Sequence, residues 1–194
     1  MANLPLDVQN ALKRQAPKAL RRAFEKEMNK KFKKLKNELI KDFLTDSVTL
    51  EILEGPGATN ISGSLGGISN LFAFIGFDAG HQPISPILQL LEDTQITYKQ
   101  EIRNKGIGIE FEVSLPTAQA IFAITPLPWA AGRSWAEGIE RGLSGLGYLL
   151  RKNKGNSGAA IQSRVNKVRS GKFQNRPYIS ALIKKYKKRF EDLK

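Results

Sequence analysis

Apolar residues recur every third or fourth position early in the chain: Leu20, Phe24, Met28, Phe32, Leu35, Leu39 and Phe43 form a single stripe. Positions three and four apart share one face of a 3.6-residue repeat, so this spacing predicts a long amphipathic helix from Pro17 to about Leu44. Pro17 suits its first turn, where a missing N–H costs nothing, and Val8 with Leu12 suggests a short leading helix. At 1.5 Å per residue the rod would be roughly 42 Å long. The face opposite the stripe carries Lys30, Lys31, Lys33, Lys34 and Lys36, suited to water or to an acidic partner.

Beyond Asp46 the period drops to two. Val48, Leu50 and Ile52 alternate with polar residues, which predicts a strand ending at Glu54-Gly55-Pro56-Gly57. Asn60 to Asn70 (NISGSLGGISN) is a loop by composition, and the apolar run Leu71 to Phe77 fits either a strand or the start of a buried helix. Thr94 to Ile102 and Ile107 to Val113 flank Arg103-Asn104-Lys105-Gly106 and predict an antiparallel hairpin. In it Ile107, Ile109, Phe111 and Val113 face a core, while Gly108, Glu110 and Glu112 face water. Gln119 to Thr125 is expected as a third strand.

A helical period returns from Arg133 to Leu150 through Trp135, Ile139, Leu143, Leu146 and Leu150, with Gly138, Gly142, Gly145 and Gly147 inside it. Each glycine costs about 1 kcal/mol relative to alanine in a helix interior. Close approach of another backbone would offset that cost, and a broken helix would avoid it. Residues 151–172 read as a basic, glycine-dotted linker or arm. A last helix is expected from Asn175, a candidate N-cap, with Ile179, Leu182, Ile183, Tyr186 and Phe190 on its apolar side. Together these elements predict an α+β fold: a long N-terminal helix and later helices packed on a small antiparallel β-sheet. The expected organisation is a core domain over residues 1–150 and an extended basic C-terminal arm over 151–194, ending in an amphipathic helix.

Charge changes this picture more than composition does. The net charge is +13, but residues 61–150 hold 5 Lys/Arg against 8 Asp/Glu, whereas residues 151–194 hold 14 against 2. A slightly acidic middle is thus followed by a strongly basic end that seeks an anionic partner. With 41% hydrophobic residues the chain can build a core, which excludes wholesale disorder. The longest apolar stretch, Ala118 to Ala131, is broken by Pro126 and Pro128 and is shorter than the ~20 residues a bilayer requires. The first 20 residues lack the apolar core of a signal peptide. A soluble protein without a membrane partner is expected.

Candidate chemistry is sparse. The chain has no cysteine and one histidine, which leaves no thiolate nucleophile and no nitrogen- or sulfur-rich metal site. His81 lies between glycine and proline residues in GFDAGHQPISP and suits a turn better than a catalytic base. Glu110 and Glu112 share a strand face with Glu101 expected opposite, but a solvated sheet face explains them without a paired-carboxylate mechanism. SGSLGG, Ser62 to Gly67, lacks the Gly-Lys-Ser/Thr ending of a phosphate loop. No enzyme, no cofactor and no small-molecule substrate are expected. Arg151, Lys152, Lys154, Arg164, Lys167, Arg169, Lys172 and Arg176 are candidates for contacting phosphates, with Phe173 and Tyr178 available to stack, or for clamping an acidic subunit. The sequence fixes the sign of that partner and leaves its identity open.

Three stretches carry a resemblance: NISGSLGGISNLFAFIGF (Asn60 to Phe77), PWAAGRSWAEGIERGLSGLGYLL (Pro128 to Leu150) and SRVNKVRSGKFQNRPYISALI (Ser163 to Ile183). They resemble the neck and tail-completion proteins of tailed bacteriophages, the small virion proteins that join head to tail. The resemblance implies helices on a small antiparallel sheet and assembly into a homo-oligomeric ring. It also implies head, portal and tail proteins as partners, and a place at the head–tail junction of a virion assembled in the host cytoplasm. Gly138, Gly142 and Gly145 would then suit tight packing between subunits, and Arg133 with Trp135 an interface anchor, although Trp135 fits the core of its own subunit slightly better. The alternative is a nucleic-acid-binding protein that uses the basic C-terminal arm.

Overall fold

The computed structural model describes residues 6–67, 70–103, 106–143 and 173–193, with the backbone alone over 6–17, 100–103 and 106–108. The fold is α+β: a long N-terminal helix and shorter later helices, with two small antiparallel two-stranded sheets. The first helix, α1, runs over Leu6–Thr45, 40 residues and about 60 Å. The expected start at Pro17 is therefore corrected, and the short leading helix is continuous with the long one. Its apolar stripe works as anticipated from Met28 onward, since Met28, Phe32, Leu39 and Phe43 are all buried, whereas Leu20 is 69% exposed.

Residues Ser47–Leu53 form a helix, α2, in place of the expected strand. Asp46 caps it by accepting a hydrogen bond from the Val48 backbone N–H at 2.9 Å. Val48, Thr49, Glu51 and Ile52 are buried, while Leu50 and Leu53 face outward, 37% and 52% exposed. The alternation misled because two of the core-facing positions are polar. A 3-10 turn over Gly55–Gly57 leads into the glycine loop.

The apolar run after the loop is a helix, α3 (Leu71–Ile75), capped by the Asn70 side chain accepting from Ala73 N–H at 2.8 Å. A further helix that the sequence pattern did not suggest, α4 (Ser85–Glu92), buries Ile87 and Leu91. Lys36 of α1 seals its C-terminal end by donating to the Glu92 and Thr94 carbonyls, the latter at 3.0 Å. The expected hairpin is present as β1 (Ile96–Arg103) and β2 (Gly106–Val113), in the register Ile96↔Val113 and Tyr98↔Phe111. Tyr98 meets α1 by an edge-on contact with Phe24, ring centres 6.4 Å apart.

The third strand is corrected to a helix, α5 (Ala118–Ala123), because the Thr117 hydroxyl accepts from Ala120 N–H at 3.1 Å and starts a helical turn. A short ribbon, β3 (Pro126–Leu127) with β4 (Ala130–Ser134), carries Arg133. Helix α6 spans Trp135–Arg141, capped by the Ser134 hydroxyl, instead of the expected Arg133 to Leu150. It ends at Gly142, whose φ of +118° stops the helical backbone, and residues 144–150 lie outside the described set.

The last helix, α7 (Ile179–Glu191), begins four residues after Asn175. Its start is held by Glu140 of α6, which accepts from the Ser180 N–H and hydroxyl, each at 2.6 Å. The expected amphipathic face is present: Ile179, Ile183, Tyr186 and Phe190 are buried. Phe43 stacks on Tyr178, and Phe32 packs against Phe190, so α7 runs antiparallel to α1. The end of the basic segment is thus part of the core that α1 to α6 build.

Candidate interaction site

Glu51 is 0% exposed, and its carboxylate organises the loop beside it. Oε1 accepts from Leu71 N–H at 2.7 Å and from the Asn60 amide at 2.9 Å. Oε2 accepts from Ser62 N–H at 2.8 Å and from the same Asn60 amide at 3.2 Å. Asn60 closes the loop from its other end, its Oδ1 accepting from Leu65 N–H and Gly67 N–H, each at 3.1 Å. The Ser62 hydroxyl donates to Ser64 Oγ at 3.0 Å, and both serines are buried. A buried carboxylate is tolerated only when donors take its lone pairs; here two backbone N–H groups and an amide do so. The group holds a shape and has no free lone pair aimed at a substrate.

The C-terminal segment closes on this loop. Gln174 N–H donates to the Ser64 carbonyl at 2.8 Å, and Arg176 N–H donates to the Ile139 carbonyl of α6 at 3.2 Å. Gly63 has φ +67°, and a Cβ built there would lie 2.8 Å from Arg176 Nη2, so the guanidinium rests on the bare loop backbone. Phe173 stacks on Phe74 at 5.7 Å. Underneath, the Tyr178 hydroxyl shares a 2.8 Å hydrogen bond with Thr49. Burial pushes the Tyr178 phenol far above its ordinary value, and Asp46 and Glu140 add to this against the opposing Thr49 hydrogen bond, so it stays protonated. Trp135 completes the floor between Phe77, edge-on at 5.8 Å, and Tyr178 at 6.4 Å. Trp129 Nε1 ties β3–β4 to α3 by donating to the Ile75 carbonyl at 2.8 Å.

Described parts of all three stretches that carry the phage resemblance therefore meet at one place, although they are separated by up to about a hundred residues in sequence. The chain matches no family model, no curated protein and no solved structure in comparison with each.

The site candidates divide accordingly. Trp135 is 1% exposed and fills its own subunit's core, the reading that the sequence slightly favoured over an interface anchor. Gly138 accommodates a side chain, not a neighbouring backbone: a Cβ there would sit 2.7 Å from Leu143 Cγ. Gly142 admits Asn175, whose Oδ1 would lie 3.6 Å from an added Cβ. Arg133 is exposed on β4 and lines a recess of about 360 Å³ with Phe122, Ser134 and Glu137. Arg176 is exposed above the glycine loop. Gly145, Arg151, Lys152, Lys154, Arg164, Lys167, Arg169 and Lys172 lie outside the described residues.

Sequence reasoning missed Thr49, Glu51 and Asn60. For Thr49 and Glu51 the signal was present but ambiguous, since polar residues at the inner positions of a short capped helix read as the wet face of a strand; Asn60 lies in the loop, where composition carries no such signal. Elsewhere Glu112 is exposed and paired with Lys99 at 2.8 Å, a contact that lowers its carboxyl pKa. Among the described residues no group of three or more His, Asp or Glu side chains could hold a metal, and no helix is long and apolar enough to cross a membrane. An apolar groove of about 670 Å³ runs between the end of β2, the start of α5 and α7, floored by Phe111, Val113, Ile183 and Phe190 and rimmed by Lys184 and Lys187.

Proposed function

We propose that this chain is a structural virion protein of a tailed bacteriophage, a neck or tail-completion subunit that joins the head and portal complex to the tail. It works as an oligomeric ring, by protein–protein contact, without catalysis. The observation that carries this reading is the convergence of the glycine loop, α6 and the 173–183 segment around Glu51, Tyr178 and Trp135. The stretches that resemble neck proteins are parts of one packed unit, which is what a resemblance of fold requires.

The use of polar groups supports a role in assembly. Glu51, Thr49, Asn60 and Glu140 are committed to capping and loop closure. Adhesive surface remains in the groove beside α7 and in the exposed side chains of Leu50, Leu53 and Ile61, the last 47% exposed. Binding to the portal and tail complexes of the encoding phage, measured by co-sedimentation, tests the reading. A ring-sized complex with either partner is expected; a folded protein that sediments alone in the presence of both would overturn it.

A further inference from the structure

Lys26, Lys30, Lys33, Lys34 and Lys41 fall on one stripe of α1, directly opposite its buried face, and all five are exposed. They span 16 residues of a continuous helix, about 22 Å from end to end. The two other lysines that the sequence placed on this face are elsewhere: Lys36 seals α4, and Lys31 has an interaction of its own.

The stripe is uncompensated for a structural reason. Cations flanking the core are paired: Arg21 with Glu25, Lys185 with Asp42, Arg189 with Glu38, at 2.7, 2.7 and 2.5 Å. Glu38 stands four residues from Lys34 and would be its natural partner, but Arg189 of α7 takes it. Asp42 is likewise held by Lys185 and by the Tyr186 hydroxyl at 2.8 Å. Glu27 is the one exposed acid on α1 beside the stripe. Lys26–Lys30 and Lys30–Lys34 are i,i+4 pairs of like charge, which repel in isolation. A rigid rod that keeps five such charges in line, and spends its acids elsewhere, gains from an extended array of negative charge.

We infer that the outward stripe of α1 binds the phosphate backbone of duplex DNA without reading its sequence. Lysines one turn apart on a straight helix recur about every 6 Å, within the reach of flexible ammonium groups tracking successive phosphates. The inference is independent of the connector reading.

The test is fluorescence anisotropy of the full chain with a labelled random-sequence 25-base-pair duplex, from 50 to 200 mM salt. The comparison variant replaces Lys30, Lys33, Lys34 and Lys41 with glutamine, and melting temperature confirms that it folds. Each phosphate contact contributes about −0.9 to the slope of log affinity against log salt, so the variant's slope should be shallower by roughly 3.6 and its affinity at least tenfold weaker at 100 mM. The Lys→Arg variant at the same positions should retain both values. Unchanged slope and affinity in the glutamine variant overturn the inference and move binding to other basic residues. Equal affinity for polyglutamate of matched charge overturns it too, in favour of an acidic protein surface.

Discussion

The glycine-loop node and the α1–α7 pair use charge in opposite ways. Around Glu51 a carboxylate is buried, surrounded by donors and removed from any exchange with solvent. Along α1 and α7 the charges stand in water, and the few acids present are drawn to one flank by Lys185 and Arg189. The first arrangement fixes a shape; the second leaves a field. Removing a polar group should therefore cost stability in the node, and should alter binding with little loss of stability on the helices.

The largest expected effect is at Glu51. Glu51→Ala strands two buried N–H groups and the Asn60 amide, and should destabilise the chain by about 3 kcal/mol. For a chain of this size that is a fall of roughly 6–12 °C in melting temperature, readable by calorimetry. Glu51→Gln keeps one carbonyl acceptor and should lose less.

Gly63→Ala and Gly66→Ala sharpen the comparison. Both positions have φ near +60°, but only Gly63 has a close neighbour, Arg176 Nη2. Each should lose about 1–2 kcal/mol from the backbone conformation. Because that neighbour is the free end of an exposed side chain, Gly63→Ala should lose only slightly more in urea melts, and Arg176→Ala should remove the excess. If the two losses stay equal, the guanidinium moves aside without cost.

Tyr178→Phe removes the hydroxyl that meets Thr49 and leaves the threonine buried, at a cost of about 1–1.5 kcal/mol. The double variant with Thr49→Val should recover part of this, because replacing both partners leaves nothing unpaired.

The smallest effect is on the helices. The hydrogen bonds from Lys185 and from the Tyr186 hydroxyl hold the Asp42 carboxyl below the usual carboxylate range. A depressed folded-state value stabilises the chain above the unfolded value near 3.9, and this is lost as pH falls through the folded one. Wild type should exceed Asp42→Asn by less than about 1 kcal/mol near neutral pH, since the side chain is 37% exposed, with the gap closing in acid. A gap that persists at pH 2 would show that the ionised carboxylate is not its source.

The sequence was legible where pattern and burial agreed. The stripe from Met28 to Phe43, the hairpin and the amphipathic face of α7 follow directly from apolar spacing. It failed where short side-chain caps decide the local fold: Asp46 and Thr117 start helices of seven and six residues where strands were expected, too short to establish a period. The node was invisible for a related reason. Its members Glu51 and Asn60 acquire their roles when residues 51–71 fold back on themselves, and Tyr178 and Arg176 when the C-terminal segment docks there; no local spacing records either meeting. The 173–193 segment reads as part of an arm because apolar spacing shows that a helix has a face to bury and does not show what covers it; here α1 does.

The most direct test of the proposed assembly reading is cryo-electron microscopy of tailed-phage virions purified from the source of this chain, resolved at the head–tail junction. The account predicts a symmetric ring of this subunit between portal and tail, with the Glu51 node intact in every copy. Particles complete at the neck but lacking this chain would contradict it.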